Sequence, residues 1–305
     1  MSDDNIKKNV REFYDRVGWQ MVSGEIYQNA EYEDLRPVSS EYIHKCHLRI
    51  NRHLAPEGEF LLDAGSGPVQ YPEYLTYSAG YKARVCMDIS IVAMQEARKR
   101  LGEKGRYVVA DIAHLPFKSD AFDGIVSLHT IHHVSMEDKI PAYEELYRAL
   151  KPGHKMAIVN GWTNAPLMVR LKPFMNSSKR FHNGWLRRVK KQTPAEPEPK
   201  QAAVQTAEVQ EAGEKESQPE KGPAGTYVQK LTAEWLTEAL AGKMPFDILV
   251  WRSVNVAFLR SVIYPGWGGK FWLKVIYGLE EIFPRWLGRI GQYPLVVVSK
   301  PATKL

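Results

Sequence analysis

From residue 59 onward, apolar residues come in short runs separated by longer amphipathic stretches. EFLLD at 59–63, ARVCMD at 83–88, RYVVAD at 106–111, FDGIVSL at 122–128 and KMAIVN at 155–160 are compact runs of the kind that form buried strands. Between them lie stretches with helical spacing. YPEYLTYSAG at 71–80 ends on a glycine, and IVAMQEARKRL at 91–101 runs from Ser90 to Gly102. EDKIPAYEELYRAL at 137–150 is closed by KPG. Serine before a helix caps its free amides, and glycine after one takes the turn that ends it. Further upstream, Ile43, Cys46, Ile50 and Leu54 share one helical face behind Ser39 and Ser40. The alternation predicts βαβ crossovers and a mostly parallel, doubly wound α/β sheet covered on both faces.

Beyond Trp162 the pattern changes. Residues 170–191 hold eight Lys or Arg and no acid. Residues 194–223 are rich in Pro, Glu, Ala and Gln without one aromatic, too polar to bury a core, and predict a disordered insert. Patterning resumes with LTAEWLTEAL at 231–240 as a helix, and with FDILVWRSV at 246–254 and YPLVVVSK at 293–300 as strands. KFWLKVIYGLEEIFPRWL at 270–287 reads as an amphipathic helix interrupted at Pro284. Trp272, Val275, Ile276, Leu279, Phe283 and Trp286 share one of its faces, and Lys270, Lys274, Glu281 and Arg285 the other. Such a stripe is most often core-facing. An interfacial helix, or a lid over a hydrophobic acceptor, is the rival reading. These boundaries divide the chain into an N-terminal helical cap (1–58), a nucleoside-binding core (59–160), a basic connecting segment (161–193), the insert (194–225) and C-terminal elements that complete the sheet and cap an acceptor site (226–305).

Composition narrows the class. With 305 residues, 44% of them hydrophobic and 25% charged, the chain can bury a full core. No apolar run approaches the ~20 residues of a spanning helix, and MSDDNIKKNV has no hydrophobic signal segment. Two cysteines, Cys46 and Cys86, make no disulfide framework. A cytoplasmic location is expected. The net charge is +6, but the acidic insert leaves the rest of the chain at +10, which suits an anionic partner.

LLDAGSGPVQY at 61–71 sets the chemistry. Two glycines after a strand resemble a dinucleotide loop, yet Gln70 stands where the third glycine belongs, and Pro68 offers no amide to a pyrophosphate. The next two strands end in Asp88 and Asp111. An acid at the first position can accept both hydroxyls of a ribose, and one at the second can accept from an adenine amino group. Met87, Ile89 and Ile112 could sandwich the ring. A nucleoside pocket beside a loop unsuited to phosphate fits S-adenosylmethionine, with Gly65 and Gly67 admitting its amino-acid tail.

At this point LLDAGSGP, VCMDIS, VVADIAHLPFKSDAFDGIVSLHTIHHV and ELYRALKPGHKMAIVN, in that order over roughly residues 59–160, resemble the class I S-adenosylmethionine-dependent methyltransferases of the type 11 group, including the ubiquinone-type enzymes. The resemblance implies a seven-stranded Rossmann-like sheet with two further strands, one antiparallel, which 246–254 and 293–300 would supply. It implies that Asp63, Gly65 and Gly67 line the methionine part, that Asp88 holds the ribose, that Asp111 and Ile112 face the adenine, and that His129 lies beside the tail. The sequence departs from the pattern at Val69, where many members have a third glycine. Tyr14 and Trp19 resemble an aromatic segment that covers the cofactor in relatives, with plain packing as the alternative.

His129, His132 and His133 follow the fourth strand. Their spacing would allow two metal ligands, but no Cys or acidic cluster completes a site nearby, so no metal is expected. His133, with His132 as second choice, is the candidate general base, because imidazole titrates near neutrality. A sulfonium methyl is already electrophilic, so proximity alone is the alternative. Asp123 is expected to be structural. The expected function is transfer of a methyl group to a hydrophobic small-molecule or lipid-linked acceptor, at oxygen, with peripheral contact to an anionic inner-membrane surface as an added reading of the basic and aromatic C-terminal part. Nucleic acid is not expected, since no recognisable module accompanies the basic tract. The rival from another class is a non-catalytic cofactor-binding subunit that docks through that same region.

Overall fold

The computed structural model describes residues 3–23, 26–28, 33–190 and 226–302; the expected insert at 194–225 lies outside the described residues. The strands are β1 (Met21–Ser23), β2 (Ile26–Tyr27), β3 (Gly58–Ala64), β4 (Tyr81–Asp88), β5 (Gly105–Val109), β6 (Gly124–Leu128), β7 (Lys155–Val159), β8 (Phe246–Arg252) and β9 (Tyr293–Ser299). β1 and β2 form a small antiparallel pair. The other seven form one sheet in the order β5-β4-β3-β6-β7-β9-β8. It is parallel except for β9, which runs antiparallel to both β7 and β8. Strand order reverses between β3 and β6, and this is where open parallel sheets bind ligands, beyond the carboxyl ends of the strands.

The helices are α1 (Asp3–Phe13), α2 (Ser40–Leu48), α3 (Pro72–Leu75), α4 (Ile91–Leu101), α5 (Met136–Ala149), α6 (Pro166–Lys190), α7 (Ala233–Leu240), α8 (Val256–Val262), α9 (Gly269–Ile282) and α10 (Pro284–Ile290). Ser90 caps α4 by accepting from the Ala93 amide, and Ser135 and Thr232 do the same for α5 and α7. Two apolar layers sandwich the sheet. Leu62, Val85, Met87 and Ile125 face one layer, and Leu61, Cys86 and Val126 the other. Both cysteines are buried and free.

Three local features differ from the expected pattern. The helix at 39–54 gives way to a 3-10 turn after Leu48, and 71–80 forms only one α turn before a 3-10 turn. The basic segment is a single 25-residue helix, α6, in spite of Pro173. The third difference concerns α9. Its inner face carries Leu273 and Glu280, while Trp272, Leu279, Phe283 and Trp286 of the expected core stripe are exposed. A polar cluster causes the inversion. Glu280 accepts from the Tyr42 hydroxyl at 2.7 Å and the Ser253 amide at 2.7 Å, and pairs with Arg49 at 2.9 Å. Turning the helix to bury its aromatic stripe would strand this carboxylate and the Arg49 guanidinium without partners.

Candidate functional site

The loop after β3 turns through three left-handed residues, Gly65 (φ 72°), Gly67 (φ 52°) and Val69 (φ 55°). At the two glycines a side chain is excluded by position as well as by φ. A Cβ on Gly65 would lie 2.2 Å from Thr130, and one on Gly67 2.8 Å from the Trp19 ring. Val69 adopts the same backbone region with a branched side chain, which is fully buried. It holds that conformation because packing over-determines it.

Asp88 ends β4 directly beside this loop. It is buried, with Oδ2 accepting the Gly67 amide and Oδ1 the Ser90 amide, each at 3.0 Å. No cation pairs with it among the described residues. Burial pushes its carboxyl up to about 6, against the pull of the two amides. Each oxygen keeps a lone pair for a further donor.

Asp63 and Asp111 are engaged differently. Asp63 is fully buried and accepts from Arg84 Nε at 3.0 Å and from Nη2, while Arg84 also donates to the Tyr74 carbonyl. Burial raises the Asp63 carboxyl despite the guanidinium. Asp111 is half-buried; its carboxylate takes the Ala113 amide at 3.0 Å and the Lys7 ammonium at 2.7 Å. Burial would raise its pKa, but Lys7 and these hydrogen bonds more than offset that and lower it. Ile112 lies in the core layer, and Ile89 is half-buried at the strand end.

The N-terminal segment lies across these strand ends. Asp15 accepts from the Ser90 hydroxyl, and Tyr14 stacks on Trp19 at 5.0 Å. The Tyr14 hydroxyl lies 2.9 Å from His133 Nε2. On the opposite side of the ring, Nδ1 lies 2.8 Å from the Tyr227 carbonyl, which can only accept. That carbonyl sets the tautomer: Nδ1 carries the proton, and Nε2 accepts from Tyr14.

The three histidines lie together. His132 and His133 have ring centroids 4.1 Å apart, and the His129 ring packs edge-on against Trp251 at 5.1 Å and Tyr293 at 5.5 Å. Burial lowers all three, His129 to about 3 and His133 to about 4, and His132 keeps a buried Nδ1 without a partner. The cluster is therefore neutral at physiological pH. Lys139 holds its turn, with a buried ammonium donating to the Ile131 carbonyl at 3.0 Å and the Val134 carbonyl at 2.6 Å. Asp123 lies away from the loop; it accepts the Glu59 and Phe60 amides and pairs with Lys151.

Sequence reasoning missed Lys7, Asp15, Thr130, Lys139, Tyr227, Trp251 and Tyr293. Only Trp251 and Tyr293 carried a signal, as residues at or near the ends of expected strands. Thr130 lies among the histidines and Lys139 on an expected helix, but neither is marked out by its residue type; Lys7, Asp15 and Tyr227 reach the site from segments distant in sequence.

Residues 62–158 match the model of a methyltransferase domain. The chain is 31% identical over 45% of its length to the tRNA (carboxymethyluridine(34)-5-O)-methyltransferase of Xenopus tropicalis, covering 21% of that protein. It is 28% identical over 43% of its length to the ubiquinone/menaquinone biosynthesis C-methyltransferase of Haemophilus ducreyi, covering 52% of that one. The chain thus spans between a fifth and about half of these relatives. Its whole length superposes on half (51%) of a Haemonchus contortus phosphoethanolamine N-methyltransferase, with a TM-score of 0.51 at 9% identity, a likeness of fold alone.

Proposed function

We propose that this chain, whose residues 62–158 match the model of a methyltransferase domain, is an S-adenosylmethionine-dependent methyltransferase. The observation that carries the reading is Asp88: a buried carboxylate with amide donors, no cation and unused lone pairs, set against a loop in which Gly65 and Gly67 have no room for side chains. The residues fit the cofactor. A ribose diol supplies the two hydroxyl donors that Asp88 lacks, and a loop with Pro68 and a buried Val69 offers no cradle for a pyrophosphate. S-adenosylmethionine, when bound, supplies an electrophilic methyl group on a sulfonium.

The remaining chemistry belongs to the protein. Asp88 holds the ribose. Asp111 and Ile89 flank the adenine, and the Gly65–Gly67 turn admits the amino-acid tail. Tyr14 and Trp19 close over the loop and exclude water. His133 presents an unprotonated Nε2, now bonded to Tyr14, that an acceptor hydroxyl can use in place of that phenol. This favours transfer to oxygen.

The acceptor we propose is a hydrophobic small molecule or a lipid-linked one. Because one relative is named for a tRNA substrate, tRNA is tested alongside it. The protein is incubated with methyl-labelled cofactor and either a lipid extract or total tRNA. Label in the lipid fraction is expected. Label in tRNA alone would overturn the acceptor class. Binding of S-adenosylhomocysteine with no transfer to either would favour the non-catalytic subunit.

Two further outcomes follow from the titrating groups. The ionised Asp88 accepts from both ribose hydroxyls, and the protonated form from fewer, so binding lowers its pKa from about 6 in the free protein. Cofactor affinity should therefore rise from about pH 5 to about pH 7 with release of up to one proton, and then level off. Calorimetry in buffers of different ionisation enthalpy reads this directly, and a flat profile would place the ribose elsewhere. His133, held near 4, is a weak base already deprotonated at neutral pH. His133→Gln should lower kcat by only about tenfold, below the usual range for an acid–base group, with cofactor affinity kept. Single-turnover rates separate this from a binding defect.

A further inference from the structure

The exposed face of α9 and α10 needs an explanation. Trp272 is 54% exposed, Ile282 66% and Trp286 57%, and Phe271, Leu279 and Phe283 lie among them. Exposed apolar groups this dense on neighbouring helices are unusual for a free surface. They are also rigidly held. Gly288 of α10 sits so close to β8 that a Cβ would lie 2.4 Å from the Leu249 carbonyl carbon, and the Trp162 indole donates to the Gly288 carbonyl at 2.7 Å. The Glu280 cluster fixes α9 from within. The surface continues onto α6, where exposed Phe181 packs against Trp267, just before α9, with centroids 5.6 Å apart.

Charge identifies the occupant. Both acids of α9 are turned to arginines, Glu280 to Arg49 and Glu281 to Arg49 and Arg52. The outward charges of α9 and α10 are Lys270, Lys274, Arg285 and Arg289, of which Arg285 pairs with Asp247. Lys270 and Lys274 have no carboxylate within ion-pair distance among the described residues. With Lys45, which pairs with Glu41 at 2.7 Å, they line a groove of about 130 Å³ between α2 and α9, walled by Tyr42 and Tyr277, in which the three ammonium groups outnumber the one carboxylate, Glu41. Aliphatic and aromatic side chains between cations suit the boundary between headgroups and acyl chains. Nucleic acid would use the cations and the aromatic faces but give no return for Leu279 and Ile282. Among the described residues no helix is long and apolar enough to cross a membrane, so contact would be from the surface.

We propose that α9 and α10, extended by α6, dock on an anionic phospholipid bilayer, with Phe271, Trp272, Ile282 and Trp286 entering the interface and the Lys45–Lys270–Lys274 groove holding a lipid phosphate. The inference does not depend on the methyltransferase reading. The test is flotation of the full chain with vesicles of phosphatidylcholine alone or with about one-third phosphatidylglycerol, at low and high salt. Flotation is expected with the anionic vesicles only, weakened by salt. Lys270→Ala/Lys274→Ala should reduce binding roughly 25-fold, since each cation near an anionic surface is worth about a fivefold factor. Trp272→Ser/Trp286→Ser should reduce it at least about tenfold. Because these side chains are exposed, both variants should keep the wild-type melting temperature and affinity for S-adenosylhomocysteine. Failure to float with either vesicle would overturn the proposal. So would flotation unaffected by the tryptophan pair, or a dimer in sedimentation velocity that the tryptophan pair dissolves while vesicles bind nothing.

Discussion

Asp88→Ala is expected to weaken binding of S-adenosylhomocysteine by roughly a hundredfold while leaving the free protein about as stable as before. Two ribose hydroxyls bonded to a buried carboxylate contribute about 1.5–3 kcal/mol each, and water entering the space recovers part of that. Stability should change little because two effects oppose. The Gly67 and Ser90 amides lose their acceptor, but the fold no longer has to bury a carboxylate whose raised pKa reports a desolvation cost. Thermal unfolding and calorimetry on the same preparations separate the two quantities. A folded variant with an unchanged dissociation constant would remove Asp88 from the site. NAD offers a control, because a loop unable to take a pyrophosphate should show no melting shift with it.

Much of this site could be read from the sequence. Strands buried on both faces appear as unbroken apolar runs, and the residue after such a run faces the ligand end of a parallel sheet. That logic put Asp88 and the glycine turn at the strand ends, and in the structure they lie against each other, the Gly67 amide bonded to Asp88. It could not say what else a side chain touches. Lys7 meets Asp111 across more than a hundred residues of chain, and Asp15 meets Ser90 across 75. Nothing in either local sequence marks those pairings.

The aromatic stripe on α9 shows a different limit. A helical wheel finds the apolar face but cannot tell whether the core wants it. Here Glu280 takes the inner side because Arg49, Tyr42 and Ser253, contributed by two other parts of the chain, wait for a carboxylate there. The helix α6 was hidden for a local reason. Pro173, Gly184 and a run of cations obscure a pattern that packing against α8 makes helical.

The largest effect on stability should come from Asp63, the first residue of the loop motif to stand out in the sequence. The β3–β4 register sets Leu61 opposite Arg84 and Asp63 opposite Cys86, which leaves Asp63 and Arg84 diagonal neighbours on one buried face. Asp63→Ala leaves the Arg84 guanidinium buried without a carboxylate, with the Tyr74 carbonyl and the Tyr77 ring, 5.9 Å away, beside it. Breaking a buried pair by removing one member costs about 3–5 kcal/mol, a fall in melting temperature on the order of 10 °C for a domain of this size. Burial raises the Asp63 carboxyl, whereas the attraction to Asp63 raises the Arg84 guanidinium despite its burial, so cost and gain oppose each other and the pair itself adds little. Removing both charges should then restore much of the loss, and Asp63→Leu/Arg84→Met is expected to melt well above Asp63→Ala. Cofactor affinity distinguishes this from a ligand role. Measured below the melting transition, Asp63→Ala should bind S-adenosylhomocysteine within a few-fold of wild type. A variant that melts normally yet loses the cofactor would instead make Asp63 part of the binding site, as the resemblance to methyltransferases implies.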